Sequence, residues 1–153
     1  MKIAIGSDHA AFDLKQTVIQ HLKNRDIEVL DVGTHSSERT DYPIYGQRVA
    51  KAVVSGEADL GITICGTGIG IGISAGKVKG IRAAIVSDTY SARMARQHNN
   101  ANVLSFGARV VGPGLAEDLV DAFLDHDFEG GRHADRVNLI ADIDAGKDIT
   151  AIP

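Results

Sequence analysis

Leu60-Gly61-Ile62-Thr63-Ile64-Cys65-Gly66-Thr67-Gly68-Ile69-Gly70 is the stretch on which the reading of the fold turns. Leu60 to Ile64 is an apolar run that reads as a buried strand. Cys65 to Gly70 is a glycine-rich turn, and Ile71 to Lys77 continues as a helix. A turn of this kind exposes backbone N–H groups at a helix N-terminus, where unpaired donors and the helix dipole together hold anions. A thiol at the same turn has its anionic form stabilised. One segment can therefore hold an oxyanion and carry a base. A lone Cys in a strand is more often a buried structural residue; the adjoining glycines favour the chemical reading.

Working outward, the same strand–loop–helix rhythm repeats. Lys2 to Gly6, Glu28 to Val32, Ile81 to Val86 and Val103 to Phe106 read as the other four strands. Leu14, Val18 and Leu22, with Phe12 and Ile19, form a helical stripe ending near Arg25. Pro43 to Gly56, Ser87 to Gln97, Leu115 to Leu124 and Arg132 to Ile143 read as further helices, the last with Val137, Ile140 and Ile143 apolar. Ser7 to Ala11 and Thr34 to Asp41 read as loops. Strands alternating with helices imply an α/β fold with a five-stranded parallel sheet covered on both faces, a three-layer sandwich. No repeat, linker or low-complexity segment divides the chain, so residues 1–153 are expected to form one domain, with an extended tail from about Gly146. Ligands of such sheets bind at the carboxyl ends of the strands. Asp8-His9, the Cys65 loop, Ser87-Asp88 and Gly107-Ala108-Arg109 all fall there.

The 153 residues suit one full core, and 44% apolar with 24% charged residues is ordinary for a soluble protein. A net charge of −4 argues against general nucleic-acid or membrane binding. An anionic ligand must then meet a local basic cluster, and Arg82, Arg93, Arg96, Arg109, Arg132 and Arg136 all lie in the second half. One Cys cannot form an internal disulfide, which fits a reducing compartment. The chain opens directly on a short apolar strand, with neither a signal-peptide core nor a membrane-length stretch. The expected location is the cytoplasm.

Several motifs fail. A phosphate-binding Walker sequence is excluded because Val78 follows Gly76-Lys77 and Ile71 stands where the first glycine belongs. Gly70-x-Gly72-x-x-Ala75, with Asp88 further on, is only a loose dinucleotide fingerprint. No His falls into a metal-ligand pattern, so no metal is expected. Covalent catalysis by Cys65 with His98 lacks an identifiable third, orienting group. Proton transfer fits better. Cys65 can act as a general base and His98 as an acid or base. The glycine-loop N–H groups can stabilise an enediolate, and Arg132 and Arg136, four apart on one helix face, can grip a phosphate. Each residue also has a plainer role: Asp8 as a helix cap, His98-Asn99 as a helix end, the arginine pair as a solvated face, Thr67 as a turn residue.

The combination resembles the ribose-5-phosphate isomerase B family, which includes the galactose- and allose-6-phosphate isomerases. The resemblance is carried by Gly6-Ser7-Asp8-His9-Ala10, Gly33-Thr34, Ser37-Glu38-Arg39-Thr40-Asp41-Tyr42-Pro43, Ile64-Cys65-Gly66-Thr67-Gly68-Ile69-Gly70 and Gly80-Ile81-Arg82-Ala83. It continues through Arg96-Gln97-His98-Asn99, Asn102-Val103-Leu104, Phe106-Gly107-Ala108-Arg109-Val110-Val111-Gly112 and Gly130-Gly131-Arg132-His133. It runs in order from residue 2 to about 143 and implies a Rossmann-like sheet and a metal-free, cofactor-free isomerase of ribose 5-phosphate and ribulose 5-phosphate. A hexose 6-phosphate isomerase and a noncatalytic sugar-phosphate-binding subunit are the alternatives. By this resemblance Cys65 moves the proton between C1 and C2, Thr67 assists at oxygen, and His98 donates a proton in ring opening. Asp8, His9, Gly66, Thr67, Gly68, Ile69, Gly70, Asn99, Arg109, Arg132 and Arg136 bind substrate. The resemblance also implies a homodimer or homotetramer with active sites shared between subunits. A family branch uses a glutamate further along the loop; Gly72-Ile73-Ser74-Ala75 has no acid, so the cysteine route is expected.

Overall fold

Five parallel strands form one sheet in the order β2-β1-β3-β5-β4. They are β1 (Lys2–Ser7), β2 (Glu28–Asp31), β3 (Leu60–Cys65), β4 (Ala83–Ile85) and β5 (Val103–Gly107). Between and after them run α1 (Phe12–Asn24), α2 (Tyr42–Val54), α3 (Ile69–Gly76), α4 (Thr89–Gln97), α5 (Pro113–Leu124) and α6 (Arg132–Asp144). The structure, a computed structural model, describes residues 1–150. The expected tail is partly within that range; residues 151–153 lie outside the described residues. The α/β class read from the sequence is the architecture found.

Successive strand side chains point to opposite faces, and the two faces differ. Ile3, Ile5, Ile62, Ile64, Leu104 and Phe106 join Leu14, Val18, Leu22, Leu119, Val120 and Phe123 in the larger core. Opposite them, Ala4 and Val103 meet Val49, Ala50, Ala52 and Ala75. That side is built from small residues so that helices can approach closely. A Cβ on Gly61 would stand 2.5 Å from Val49 Cγ1, and one on Gly46 would stand 2.7 Å from the Ile71 carbonyl oxygen. The close seating of α2 against β3 and α3 brings Tyr45 beside Cys65 and Ile71 in a small buried cluster.

Register aligns the carboxyl ends of the central strands. Ser7 lies opposite Ile64, and Cys65 opposite Gly107. The segment after each of these strands therefore emerges on one rim.

Some boundaries differ from the sequence expectation. Strand β4 covers 83–85 rather than 81–86, because the Arg82 N–H is taken by Asn102 Oδ1 at 2.8 Å instead of a ladder partner. The expected loop at Ser7 to Ala11 contains a 3-10 turn, His9–Ala11. Helix α5 starts at Pro113, which has no N–H to leave unpaired in a first turn. The apolar positions of α6 stay largely uncovered: His133 is buried, while Ile140 and Ile143 are 42% and 55% exposed. Among the described residues, no helix is long and apolar enough to cross a membrane.

Candidate active site

Strand β3 delivers Cys65 to the rim with its side chain nearly buried, and the chain then turns sharply. Gly68, at φ 78°, occupies the left-handed region and caps α3. Its N–H donates to Cys65 Sγ at 3.2 Å. The Ser105 hydroxyl donates to the Gly68 carbonyl at 2.6 Å, fixing the same peptide from β5. Thr67 is exposed, and its Oγ1 accepts from the Ile69 N–H at 3.3 Å. The sulfur thus lies at the N-terminus of α3, held by the Gly68 N–H.

Asp8, His9 and Arg109 gather on this rim. Asp8 Oδ1 accepts from the Ala10 N–H at 3.1 Å, so Asp8 does cap the short turn after β1. That places His9 under the 34–41 loop, with His9 Nδ1 3.1 Å from the Thr40 carbonyl oxygen and 3.3 Å from the Thr40 N–H. Arg109 continues from β5; its N–H donates to the Gly66 carbonyl at 3.0 Å. Its guanidinium lies over Gly66, where an added Cβ would stand 3.4 Å from Nη1.

The wall behind the sulfur contains residues that sequence reasoning did not single out. The Tyr45 hydroxyl pairs with Thr40 Oγ1 at 2.9 Å. Its pKa is lowered, first by the bond to Thr40, then by Thr34, with Arg48 and Lys15 adding to the effect against burial. Lys15 is fully buried and donates to Asp31 Oδ1 at 2.5 Å and to the Thr34 carbonyl at 2.6 Å. Tyr42 lies against Gly70, where a Cβ would meet its ring at 2.6 Å. The 34–41 loop is therefore anchored through both its ends. From the sequence, Tyr42 stood only within the quoted Ser37-to-Pro43 motif, and Tyr45 was not singled out.

His98, Asn99, Arg132 and Arg136 are not brought to that rim within one chain. Helix α4 leaves the carboxyl edge after β4 and returns, so His98 caps its far end, just before β5 begins. Cys65 pairs with the last residue of β5. The two groups are therefore set apart by about the length of that strand, some 13 Å. At the far edge the Glu129 N–H donates to the Gln97 carbonyl at 3.0 Å, which lays the turn before α6 on the end of α4. His98 and His133 stack there, with ring centroids 4.1 Å apart and planes 7° from parallel. Glu129 Oε2 is 3.8 Å from His98 Nε2 and 3.7 Å from His133 Nε2. Burial pushes His133 below the ordinary histidine pKa, and His98, Arg132 and Arg136 add to this against Glu129. Arg132 and Arg136 are exposed in the first turns of α6, four residues apart.

His98, Glu129 and His133 are also the one group among the described residues with metal-ligand atom types close together, all within 4.8 Å. Sequence spacing did not suggest it, because the fold joins residues 35 positions apart. The rings are parallel, so their in-plane lone pairs do not converge on one point, as chelation requires. The loose dinucleotide fingerprint has a packing explanation: a Cβ on Gly72 would stand 2.6 Å from Ile85 Cγ1, so this glycine seats α3 on the sheet.

Residues 3–140 match the family model described as Ribose/Galactose Isomerase. The chain is 57% identical over 143 residues to ribose-5-phosphate isomerase B of Escherichia coli strain K12, covering 94% of this chain and 96% of that protein. Its structure resembles that of Clostridium thermocellum ribose-5-phosphate isomerase B, with a TM-score of 0.94 and 55% identity, covering 95% and 99% of the two chains. It also resembles Mycoplasma genitalium ribose-5-phosphate isomerase B with bound ribulose 5-phosphate, with a TM-score of 0.89 and 42% identity, covering 94% and 96%.

Proposed function

The chain belongs to the ribose/galactose isomerase family, and on that premise we propose that it interconverts ribose 5-phosphate and ribulose 5-phosphate through an enediolate, with Cys65 as the base. The observation that carries the reading is the Cys65 thiol, nearly buried at the end of β3, accepting the N–H of Gly68 at the N-terminus of α3. Cys65 takes the proton from C2 of the open-chain aldose and returns it to C1. The 66–70 loop donors face the developing oxyanion, and Thr67 passes the proton between O1 and O2. Asp8 and His9 hold the sugar, Arg109 holds its phosphate end, and His98 protonates the ring oxygen as the furanose opens. No step calls for a metal or a cofactor.

The separation of His98, Asn99, Arg132 and Arg136 from Cys65 supports a further part of the reading. The working unit is a homodimer, or a tetramer of such dimers, in which the far edge of one copy closes the rim of another. Exposed Ile69 and Ile73 of α3, Ile85 of β4 and Ile140 of α6 provide apolar surface for such an interface. The unit acts in the cytoplasm, as a single domain per chain.

An isomerase assay with EDTA present tests the reaction. Ribose 5-phosphate and allose 6-phosphate are offered separately, with Cys65→Ala alongside. Turnover of the pentose, lost in Cys65→Ala, is expected; turnover of the hexose alone, or a fully active Cys65→Ala, refutes the reading. Mixing inactive Cys65→Ala with inactive His98→Asn tests the shared site. Random re-pairing in symmetric dimers should restore roughly a quarter of wild-type activity, and no recovery refutes a site built from two copies.

A further inference from the structure

We propose that His133 and Glu129 are positioning residues for ring opening: His133 stacks on the imidazole of His98, and the Glu129 carboxylate orients its Nε2 edge. The proposal rests on the reading of His98 as the ring-opening acid and extends it to two residues outside the expected site.

An acid at a helix end has an orientation problem. His98 is the cap residue after α4, and its side chain is 37% exposed. Left alone, it would sample several rotamers, and a ring proton must point at the furanose oxygen when the C1–O4 bond breaks. The far edge supplies two constraints. His133, whose side chain is only 9% exposed, lies flat against one face of the ring, 4.1 Å away and 7° from parallel. Glu129 Oε2 stands at nearly equal distances, 3.8 and 3.7 Å, from the Nε2 atoms of both rings. Glu129 and His133 are four residues apart, and the Glu129 N–H bond to the Gln97 carbonyl ties the turn before α6 to the end of α4. The stack sets the plane of His98, and the carboxylate lies on its Nε2 side at ion-pair rather than hydrogen-bond distance. Nδ1 is left to face substrate.

The charges are consistent with this. The groups facing the pair are Glu129, from the turn before α6, and Arg132 and Arg136 from α6 itself. Burial first, then the neighbouring His98 and the two arginines, hold His133 toward its neutral form against Glu129. In the step itself, the C1–O4 bond breaks, O4 takes the proton from His98, and the C1 hydroxyl loses its proton to water and becomes the aldehyde. His98 then recovers a proton from solvent. Enolisation at Cys65 needs none of this, because ribulose 5-phosphate has no ring to open.

That difference supplies the test. Wild type, Glu129→Gln, His133→Ala and His133→Phe are assayed for turnover of ribose 5-phosphate. The same proteins are incubated with ribulose 5-phosphate in D2O, and deuterium entering C1 is followed by NMR. Glu129→Gln and His133→Ala should lose roughly ten- to a hundredfold in kcat, the scale of a misplaced reacting group, with KM within about twofold. Exchange at C1 should stay near the wild-type rate. His133→Phe, which restores a flat face, should recover most of the turnover. Unchanged kcat in either variant, exchange falling in step with turnover, or failure of the Phe variant to recover activity would each overturn the proposal. Absence of both activities in wild type, or exchange surviving in Cys65→Ala, would instead overturn the isomerase reading beneath it.

Discussion

Replacing Gly68 by Ala probes the peptide that holds the Cys65 sulfur, and its cost follows from two separate effects. At φ 78° an L-residue with a side chain is disfavoured by about 1–2 kcal/mol. The added Cβ would also stand 2.5 Å from the carbonyl carbon of Phe106 and 2.6 Å from its Cα. Phe106 lies in β5, paired on both sides by β3 and β4 and fully buried, so its backbone has nowhere to go. Overpacking of that kind costs about 1–3 kcal/mol. Together they predict a loss of about 2–5 kcal/mol, which at a urea slope of about 2 kcal/mol per molar lowers the midpoint by about 1–2.5 M. Urea unfolding followed by circular dichroism at fixed protein concentration measures it. Gly112→Ala is the control, because its φ is −76° and nothing lies within 4 Å of its added Cβ; its stability should change by no more than about 0.5 kcal/mol. A Gly68→Ala midpoint as close to wild type as that of the control would refute the claim that this loop is held rigidly against β5.

Removing the partner of the buried cation is expected to be costly elsewhere in the same wall. Asp31→Ala leaves Lys15 unpaired in the interior and should cost about 3–5 kcal/mol in urea unfolding, whereas Lys15→Met combined with Asp31→Ala should recover much of that loss; equal costs for single and double variants would refute the pairing. His133 gives a pH dependence with a fixed sign. Its folded pKa lies below the ordinary 6.5, so the unfolded chain binds the proton more readily. Stability is then fully present above that value and is lost as pH falls through the folded one. Urea midpoints at about pH 8 and about pH 5.5 should differ more in wild type than in His133→Gln, and an equal difference in both would refute the assignment. Arg136→Ala should raise KM for ribose 5-phosphate roughly tenfold to a hundredfold, the worth of a charged hydrogen bond, with a smaller effect on kcat; an unchanged KM would place Arg136 on a solvated face.

The strands were legible because each is a short apolar run closed by glycine or a polar loop, and parallel pairing follows from the helices between them. Where side chains replace ladder bonds, the sequence misleads: Ile81 and Arg82 look like strand, yet Asn102 takes the Arg82 N–H. Half of the candidate site was legible for the same topological reason. Cys65 ends a strand and Asp8 and Arg109 follow one, so the parallel sheet delivers them to one edge. His98 follows a helix, and a nine-residue helix carries the chain back by roughly 13 Å. From the sequence, that division of the site was implied only by the family resemblance, which did not say which residues fall on which side. The stack of His98 on His133 was not legible, because it depends on how the turn at Glu129 docks on α4. No periodicity within either helix encodes that contact.

The separation has a consequence for how activity is controlled. One chain holds Cys65 and Arg109 at one rim, while its exposed Arg132 and Arg136 stand at the opposite edge of the sheet. An isolated copy could bind a phosphate at α6 but would have no base within reach of the sugar carbon. On the proposed assembly, association completes the site, so catalytic competence is linked to dimerisation by mass action. Specific activity should then fall on dilution at the same concentration at which the dimer dissociates. The order of the two elements explains why the burden is divided in this way. A base must be desolvated and immobile to abstract a proton from carbon, which the end of a central strand provides. On the proposed reading, Arg132 and Arg136 meet the phosphate and stay hydrated until substrate arrives, which suits the first turns of a helix with little cover from its own chain.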